Sequence, residues 1–470
     1  MKIKKRLNLK ILLLIIILLM SSGFRCKCVS PDVKDQLKPI TINYWGVWND
    51  RSDIADLIDA YRQIHPNITI NYKKFRYEEY ERLLLDAWAE GRGPDIFSIH
   101  NTWVSKYEPK IAPLPKKIEM PHISYRAPLP GCKKKTEEII EIKDTPILRI
   151  SDIEKKYTKT VYKDVILGDP KHGYAIYALP LSLDILALFY NVDLLDKNNI
   201  PFPPDSWDEF IEDVRLLTRI DIDQNIIQAG AALGAYSNIE RAFDIISLLF
   251  LQNGADLNNI WGTRAQEAMS FYLDFANPQK EVYSWNNEMV NSLDAFVEGK
   301  LAFFFGYSYH IEEIKSKSPN LNFAISTVPQ VNVSDPVNYA NYWVETVYKK
   351  SEYSKEAWDF ILFLSQEENL KKYLKETKQP AAIRGLMESQ LDDPEVGPFA
   401  SQVLTADSWH GYKNFNLLED AFGEMFEVVY ENSIYTDNVA DFLNKEVNPE
   451  FVSLPNLLKS LTSKVQRAKE

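Results

Sequence analysis

One long apolar stretch, Tyr174–Asp193, constrains the fold of this chain more than any other segment. Its sequence, YAIYALPLSLDILALFYNVD, is too long for one short strand and is interrupted by Pro180. Because proline cannot donate to a strand ladder, it marks an edge or a break. We therefore predict two extended pieces, Tyr174–Leu179 and Ile185–Asn191, joined by the link Pro180–Asp184. A new strand and helix rhythm starts after the stretch, which indicates a hinge between two lobes that close on a ligand.

The size and charge of the chain narrow the possibilities further. At 470 residues it exceeds the size at which single cores stop growing, so two or more lobes are expected. The formal net charge of −12 argues against nucleic acid and anionic membrane surfaces as partners, since both favour a basic face. No long block of one sign occurs, so the acidity is most simply that of a solvated surface.

The N-terminus has the order of a secretory signal. Basic residues between Lys2 and Lys10 precede the apolar run Ile11–Met20, and small residues follow at positions 21–23. The run is too short to span a bilayer comfortably. We therefore predict that residues 1–28 are a signal peptide or a lipoprotein anchor. The protein would then work outside the cytoplasm, held at the membrane by its N-terminus. A short membrane anchor that is never cleaved is the alternative.

Cys26 is the candidate for lipidation, because it lies just after the signal, where a bacterial lipoprotein carries its lipidated cysteine. Phe24 and Arg25 precede it, whereas a lipobox has small residues there. The chain has three cysteines, which make no disulfide framework, and no cluster of Cys or His has the spacing of a metal site. We predict no metal and no cofactor.

Strand-like and helical patterns alternate from Ile40 onward. The predicted elements are the strands Ile40–Tyr44, Ile68–Tyr72 and Asp95–Ile99 and the helices Ile54–Ile64 and Tyr80–Trp88. This alternation implies parallel βαβ units. In an open parallel sheet, ligands sit beyond the carboxyl ends of the strands. We therefore expect a binding site where the first and third of these strands end.

The two loops at those strand ends are rich in side chains suited to ligand contact. They contain Trp48, Asn49 and Asp50 in the first loop and Asn101 and Trp103 in the second. A single tryptophan more often packs in a core than it binds a ligand. Trp48 and Trp103 are nevertheless candidates, because both lie in polar loops at the functional end of the sheet.

Aromatic and polar side chains also follow later extended segments. Tyr307 and Ser308 come directly after the predicted strand Leu301–Phe305, and Trp409 lies in a polar stretch near the end of the chain. Tyr339–Tyr348 has the pattern of a second extended crossing between the lobes. Flat aromatic faces stack on sugar rings while amides and carboxylates take the hydroxyls, so these segments are typical of a binding cleft.

Three other segments are assigned no binding role. Residues 106–173 are rich in Pro and Lys and predict an elaborated surface loop. Ser206 and Glu209 have the spacing of a capping box that starts a helix. Asp221–Asn225 resembles the start of a calcium loop, but the glycine and glutamate that such a loop needs are missing, so we predict a turn.

No catalytic motif accompanies these features. The sequence contains no GxSxG, no P-loop, no GxGxxG after a strand and no HExxH. We therefore predict a protein that is not an enzyme. The abundant carboxylates leave a glycosidase pair open, so a secreted carbohydrate-active enzyme with an aromatic-lined cleft is the alternative. Incubation with oligosaccharides would separate the two hypotheses, because only the enzyme makes a product.

The chain resembles the bacterial extracellular solute-binding proteins of family 1, the group of the maltose-binding protein. The resemblance covers about Ile40 to the C-terminus and rests on short segments in a fixed order. These are Gly91-Arg-Gly93-Pro94-Asp95-Ile96, Gly173-Tyr-Ala-Ile-Tyr-Ala-Leu-Pro180, Phe189-Tyr190-Asn191-Val-Asp193 with Pro204-Asp-Ser-Trp207-Asp-Glu209-Phe, Phe296-Val-Glu-Gly299-Lys300-Leu-Ala302 and Val328-Pro329.

The resemblance implies an α/β fold of the type II periplasmic-binding-protein kind, with two lobes, each a mostly parallel sheet flanked by helices, and a cleft between them. The first lobe would combine residues 40–179 and 337–379, and the second 180–336 and 380–470. It further implies a monomeric carrier that takes a small solute, most simply a carbohydrate, to the permease subunits of an ABC importer. No nucleic-acid partner is expected, and membrane contact would be confined to the N-terminal anchor.

The family's cleft positions can be carried over to this sequence. The ligand-binding residues that the resemblance implies are Trp48, Asn49, Asp50, Asn101, Trp103, Ser182, Asp184, Tyr307, Ser308, Tyr342, Trp343 and Trp409.

Overall fold

The computed structural model describes residues 36–126, 137–256, 262–433 and 463–469. Predictions about the signal segment 1–28 and the lipidation of Cys26 lie outside the described residues, and so does Cys132. Within the described part of the chain, no helix is long and apolar enough to cross a membrane.

Strands and helices alternate through most of the chain. The strands are β1 (Ile40–Gly46), β2 (Ile68–Lys74), β3 (Ile96–His100), β4 (Ile111–Ala112), β5 (Glu119–Arg126), β6 (Glu137–Asp144), β7 (Ile166–Asp169), β8 (Gly173–Ile176), β9 (Ala187–Asn191), β10 (Arg219–Ile220), β11 (Ile226–Ala231), β12 (Leu301–Gly306), β13 (Phe323–Ser326), β14 (Asn338–Tyr339), β15 (Trp343–Tyr348) and β16 (Ala406–Asp407). The helices are α1 (Arg51–Ile64), α2 (Tyr77–Ala89), α3 (Val104–Tyr107), α4 (Ile150–Lys156), α5 (Lys159–Val165), α6 (Val192–Lys197), α7 (Trp207–Leu217), α8 (Ala242–Gln252), α9 (Thr263–Asp274), α10 (Ser292–Val297), α11 (His310–Lys317), α12 (Ser354–Leu364), α13 (Glu367–Thr377), α14 (Arg384–Met387), α15 (Gly397–Gln402) and α16 (Phe415–Ser433). Residues 463–469 form a further helical segment.

Two sheets of five strands organise the two lobes. The first has the order β2-β1-β3-β15-β4, and the second has the order β10-β11-β12-β9-β13. Strand β1 pairs in parallel with β2 and β3, as the βαβ rhythm predicts. Strand β15 enters the first sheet from far along the chain and runs antiparallel to β3 and β4. The mixed α/β architecture agrees with the predicted fold class, but the prediction of mostly parallel sheets is wrong for the second lobe. There only β11 and β12 pair in parallel, because β9 runs opposite to β12 and β13, and β10 runs opposite to β11.

Each sheet has its own hydrophobic core. Ile68, Ile70 and Tyr72 of β2 alternate with exposed residues and bury one face of that strand in the first core. Strand β12 is buried at every position and lies at the centre of the second core. A strand covered on both faces has a continuous apolar sequence, which is why LAFFF was readable as a buried strand.

The chain passes between the two cores at several points. Ile185 belongs to the first core and Leu186 to the second, whereas the second lobe was predicted to start at Pro180. The next passage falls between Tyr339 and Ala340. The first core keeps the residues up to Ile185 because the segment before it pairs with β15, as in the bridge between Leu179 and Glu345. The full lobe boundaries stay a prediction.

Phe399 lies in the second core and Val403 in the first, and a later passage, which the sequence did not reveal, runs from Ala406 to Trp409. This last passage lies beside the first two: Ile185 bridges Ala340, and Tyr339 of β14 pairs with Asp407 of β16. We call residues 184–186, 339–341 and 406–408 the crossing ribbon. Backbone hydrogen bonds connect its segments, including Leu186 N to Tyr339 O at 3.0 Å and Ala340 N to Asp407 O at 2.9 Å.

The prediction of an elaborated surface loop for residues 106–173 is wrong over most of this region. It contains the antiparallel pair of β5 and β6, the helices α4 and α5, and β7. Ile118, Met120, Ile153, Tyr157 and Val161 are buried in the first core. These apolar residues are spread among many lysines and prolines, so their helical and strand spacing was hidden.

Two local predictions are confirmed. The Ser206 hydroxyl accepts from the Glu209 N–H at the start of α7, while the Glu209 carboxylate accepts from the Asp205 N–H, one residue earlier than a standard capping box. Asp221 Oδ1 accepts from the backbone of Asp223 and Asn225, which makes the segment a turn.

Among the described residues, no group of His, Cys, Asp and Glu could hold a metal ion.

Candidate functional site

A cleft opens between the lobes where β1 and β12 end. Its cavity volume is about 60 Å³, and about 700 Å³ when the open solvent at its mouth is included. An adjoining side cavity of about 30 Å³, or about 400 Å³ with open solvent included, shares Trp48, Arg241, Asn341 and Trp343 with it. The cleft is lined by Val47, Trp48, Asn49, Ser98, Leu181, Ser182, Asp184, Arg241, Tyr307, Tyr309, Asn341, Tyr342, Trp343, Glu345, Tyr373 and Gln379.

Many of the predicted binding residues meet in this space. The cleft contains Trp48, Asn49, Ser182, Asp184, Tyr307, Tyr342 and Trp343 from that set, and the side cavity contains Trp103. They come from both lobes and from the crossing ribbon, which is the arrangement expected of a site between two lobes.

Asp50 and Asn101 do not line either cavity. Asp50 is exposed at the start of α1, and its carboxylate lies 3.1 Å from the ammonium of Lys74. Asn101 is buried and donates to Asp164 at 2.9 Å and to Ser408 at 3.2 Å. The Asp50 side chain therefore points to solvent, whereas the Asn101 side chain connects α5 to the crossing ribbon.

Ser308 and Trp409 also lie behind the cleft surface. The Ser308 hydroxyl donates to Asp184 at 2.7 Å, so it positions a cleft residue from the second lobe. Trp409 packs in the second core, and its indole N–H donates to Ser247 at 2.9 Å. The prediction that Trp409 lines the cleft is wrong, because core side chains cover its ring.

Aromatic rings form the wall at the cleft mouth. Trp48, which is 38% exposed, stacks on Tyr309 from the second lobe with ring centroids 5.1 Å apart and planes 17° apart. On the first lobe, Trp48 also stacks on Tyr77 at 5.9 Å and meets Trp343 edge to face at 6.2 Å. A large ring that stays partly exposed at the boundary of two lobes is suited to contact with a flat ligand.

Hydrogen-bonding groups on the first lobe are held in a fixed chain. Asn49 donates to the Tyr373 hydroxyl at 2.7 Å, which in turn donates to Gln379 at 3.1 Å. The Ser182 hydroxyl also donates to Gln379, at 2.9 Å. These side chains hold one another in place, so their remaining donors and acceptors are preorganised for polar groups of a ligand.

Arg241 and Asp244 form an ion pair between the cleft and the side cavity. Arg241 Nε and Nη2 lie 2.7 and 2.6 Å from Asp244 Oδ2. Asp244 is buried and also accepts from the Tyr307 hydroxyl at 2.9 Å and from Asn341 at 3.1 Å. Arg241 has a φ of 59°, in the left-handed region that non-glycine residues seldom adopt.

Asn341 connects this pair to a neutral histidine. The amide oxygen of Asn341 lies 2.8 Å from His100 Nε2, which must therefore donate. Burial lowers the pKa of His100 to about 4, so the ring is uncharged at neutral pH. The second ring nitrogen, Nδ1, lies 2.7 Å from the Thr102 hydroxyl, so both nitrogens are engaged.

Two buried carboxylates line the cleft floor. Burial raises the pKa of Asp184 to about 7, although hydrogen bonds from Ser308 and Ile185 oppose the rise. Burial likewise raises the pKa of Glu345 to about 7, and Tyr44 and Ser98 donate to it. Both groups exchange a proton near neutral pH, which makes them acceptors or donors for a bound hydroxyl.

Several lining residues were missed by sequence reasoning, above all Arg241, Tyr309, Asn341, Glu345 and Ser98. Tyr309 stood in the aromatic loop that was already recognised. Ser98 in IFSIH and Glu345 in WVETVY are polar residues inside apolar strands, a signal that could have found them. Arg241 precedes a helix without a motif, and its role depends on long-range placement.

Two α/β lobes joined by adjacent passages, with a cleft lined from both sides, define a two-lobed ligand-binding protein. Residues 56–391 match the family described as bacterial extracellular solute-binding protein. The chain belongs to this family of extracellular solute binders, which agrees with the resemblance seen in the sequence.

Individual relatives of this chain share about a quarter of its residues or fewer. A Brucella abortus protein that is named as a binding protein is 26% identical over 320 residues, covering 66% of this chain and 67% of that protein. The galactooligosaccharide-binding protein of Bacillus subtilis is 23% identical over 252 residues, covering 52% of this chain and 56% of that protein. A cyclo/maltodextrin-binding protein complexed with maltotetraose superposes with a TM-score of 0.67 at 15% identity, covering 92% of this chain and 99% of that chain.

Proposed function

We propose that the protein captures a sugar or oligosaccharide outside the cytoplasm, by closure of its two lobes, and delivers it to the permease subunits of an ABC importer. The observation that carries this proposal is the partly exposed ring of Trp48 beside Tyr309, at a cleft that most of its other lining residues supply with hydrogen-bonding side chains. Aromatic faces suit sugar rings, and fixed amides, hydroxyls and carboxylates suit their hydroxyls. The names of the Bacillus and maltotetraose-bound relatives support the same class of solute.

Closure of the lobes is supported by the crossing ribbon. Few segments join the lobes there, and hinge residues at element ends can absorb changes in φ and ψ. A solute that touches Trp48 on one lobe and Tyr309 on the other makes its full set of contacts only in a closed form. Its differential affinity for that form shifts the population.

In this proposal, the protein binds and releases its solute without making or breaking a bond in it. It acts as a monomer and is held at the cell surface by lipidated Cys26 or by a retained signal. Cys26→Ser should release it from membranes if lipidation is the anchor, and an uncleaved signal becomes the better account if the variant stays bound.

The first test is a thermal-shift screen across neutral sugars, polyols and phosphoesters, followed by calorimetry on each hit. A solute that binds only the folded protein raises the melting temperature, by an amount that depends on its concentration relative to Kd. Sugars among the hits, with no product after long incubation, are the expected result. Hits confined to other classes, or a released product, would contradict the proposal.

The second test is small-angle scattering with and without a sugar hit. Closure predicts a smaller radius of gyration with the sugar, and a disulfide across the open cleft rims should block that change. An unchanged radius at saturation would mean that the lobes do not close.

A further inference from the structure

We infer that the cleft is built for a solute without negative charge, and that Asp244 and Glu419 are residues that exclude anionic sugars. This inference rests on the proposed function and specifies its substrate class. Four carboxylates line the cleft and the side cavity, namely Asp184, Glu345, Asp244 and Glu419. Among the described residues that line them, Arg241 is the only side chain with a fixed positive charge.

That positive charge is already compensated. The contacts from Nε and Nη2 of Arg241 go to the same buried carboxylate oxygen of Asp244. An incoming carboxylate or phosphate would therefore lose its hydration without gaining an unopposed cation. Removing an anion from water is costly unless a charged partner replaces the water.

A hydroxyl-bearing solute meets the opposite situation. A guanidinium has five N–H donors, so Arg241 keeps donors for a hydroxyl oxygen after it has paired with Asp244. The carboxylates accept from hydroxyl hydrogens, because each hydroxyl both donates and accepts. The ion pair thus supplies strong hydrogen bonds without a net charge, and the left-handed backbone of Arg241 places it between the two cavities.

The surroundings add further negative potential. Glu419 lies on α16 and is half-buried in the side cavity; burial raises its pKa, so its negative charge, like that of Asp184 and Glu345, develops more fully as the pH rises. His100, in the same cavity, is neutral because its pKa is lowered to about 4. Since Asp184 and Glu345 ionise near pH 7, discrimination against anions should increase as the pH rises through that value.

The test uses three matched probes: galactose, galacturonate and galactosamine, as monosaccharides and as trisaccharides. Calorimetry on the full protein at about pH 8 should give at least about hundredfold weaker binding of the uronates than of the neutral sugars, because placing like charges side by side is strongly unfavourable. The amino sugars should bind at least as tightly as the neutral sugars, because an ammonium faces carboxylates.

The variants Glu419→Gln and Asp244→Asn remove one negative charge each. Either should narrow the gap between uronate and neutral sugar by about tenfold, since one charge is removed beside the bound anion. The matched control is Asp420→Asn, which removes the same charge from the neighbouring exposed position on α16, outside both cavities. Glu419→Gln keeps the test decisive if Asp244→Asn, with its buried partners, fails to fold.

The possible outcomes separate cleanly. Uronates that bind as tightly as neutral sugars, or a gap that neither variant narrows, would overturn the inference while the sugar-binding function stands. Amino sugars excluded as strongly as uronates would show a steric filter and would also overturn it. If no probe binds and the screen across neutral sugars also gives no hit, the proposed function itself fails.

Discussion

Replacing His410 by Gln removes a charged side chain from the end of the passage between the lobes that runs from Ala406 to Trp409. His410 Nδ1 lies 2.5 Å from Asp164 Oδ1, and Nε2 lies 2.6 Å from Asp407 Oδ1. Asp164 belongs to α5 of the first lobe and Asp407 to the crossing ribbon. Lys163, also on α5, reaches Asp407 at 2.9 Å. The ring therefore bridges two carboxylates that would otherwise repel each other.

The size of the effect follows from the pKa of His410. Burial of the ring works against its charge, but Asp164 and Asp407 outweigh that and raise the pKa from 6.5 to about 9. A rise of this size corresponds to about 3 kcal/mol of folding free energy. Because the pKa is raised, this stabilisation is fully present below about pH 6.5, shrinks as the pH rises, and is lost above about pH 9.

The assay is urea unfolding of the wild type and His410→Gln at about pH 6, pH 8 and pH 10. We expect the variant to be about 3 kcal/mol less stable at the lowest pH and nearly equal to the wild type at the highest. The matched control is His172→Gln. His172 lies 2.8 Å from Asp169, but the side chain is 71% exposed, so solvent screens the pair and little change is expected.

A difference between wild type and His410→Gln that is constant with pH, or that grows toward high pH, would refute the reasoning. It would mean that the histidine acts through packing or neutral hydrogen bonds rather than through its charge. An equal loss in His172→Gln would likewise show that the ion pair at the crossing ribbon has no special weight.

Three further predictions address the cleft, a helix end and a buried acid. Trp48→Ala should weaken sugar binding by about ten- to a hundredfold in calorimetry at an unchanged melting temperature, whereas Trp358→Ala, in the first core, should lower stability by about 3–5 kcal/mol; an early-melting Trp48→Ala would argue for a structural role. Lys378→Gly should increase the free energy of unfolding by about 1 kcal/mol and so raise the urea midpoint, because Lys378 ends α13 with a φ of 55°, a conformation that glycine adopts without strain; a lower midpoint would contradict this. The wild type should lose stability as the pH rises from about 4.5 to 7, because Glu345 ionises in the unfolded chain before it ionises in the folded protein, and Glu345→Gln should not show this loss. Identical stability profiles against pH for wild type and Glu345→Gln would exclude such a cost.

Local periodicity made much of the fold predictable. The alternation at Ile68, Ile70 and Tyr72 gave β2, and the interruption at Pro180 located the passage between the lobes within a few residues of its true position at Ile185. These signals are readable because burial on one face repeats along the strand. The passage from Ala406 to Trp409 could not be predicted from the sequence. Its strand, β16, has only two residues, too few to show a periodic pattern.

The binding site was predictable only in part, for a related reason. Trp48 follows a strand whose end the sequence locates, so it could be placed in the cleft from the pattern alone, whereas Trp343 was placed there by the family resemblance. Asn341 and Arg241 come together through the arrangement of the lobes, which no short segment encodes. Trp409 misled because its polar neighbours suggested a surface loop, while its own ring fills the second core.

Strand β15 has a consequence for how the chain reaches its native state. It separates β3 from β4 in the first sheet, yet the partners Ser98 and Glu345 are 247 positions apart in sequence. During synthesis, the first sheet must wait for its missing strand until the part of the second lobe between Leu186 and Tyr339 has been made. Contacts of such long range slow folding. The first lobe should therefore complete its fold late, and a newly made chain should pass through a period in which the edges of β3 and β4 are unpaired.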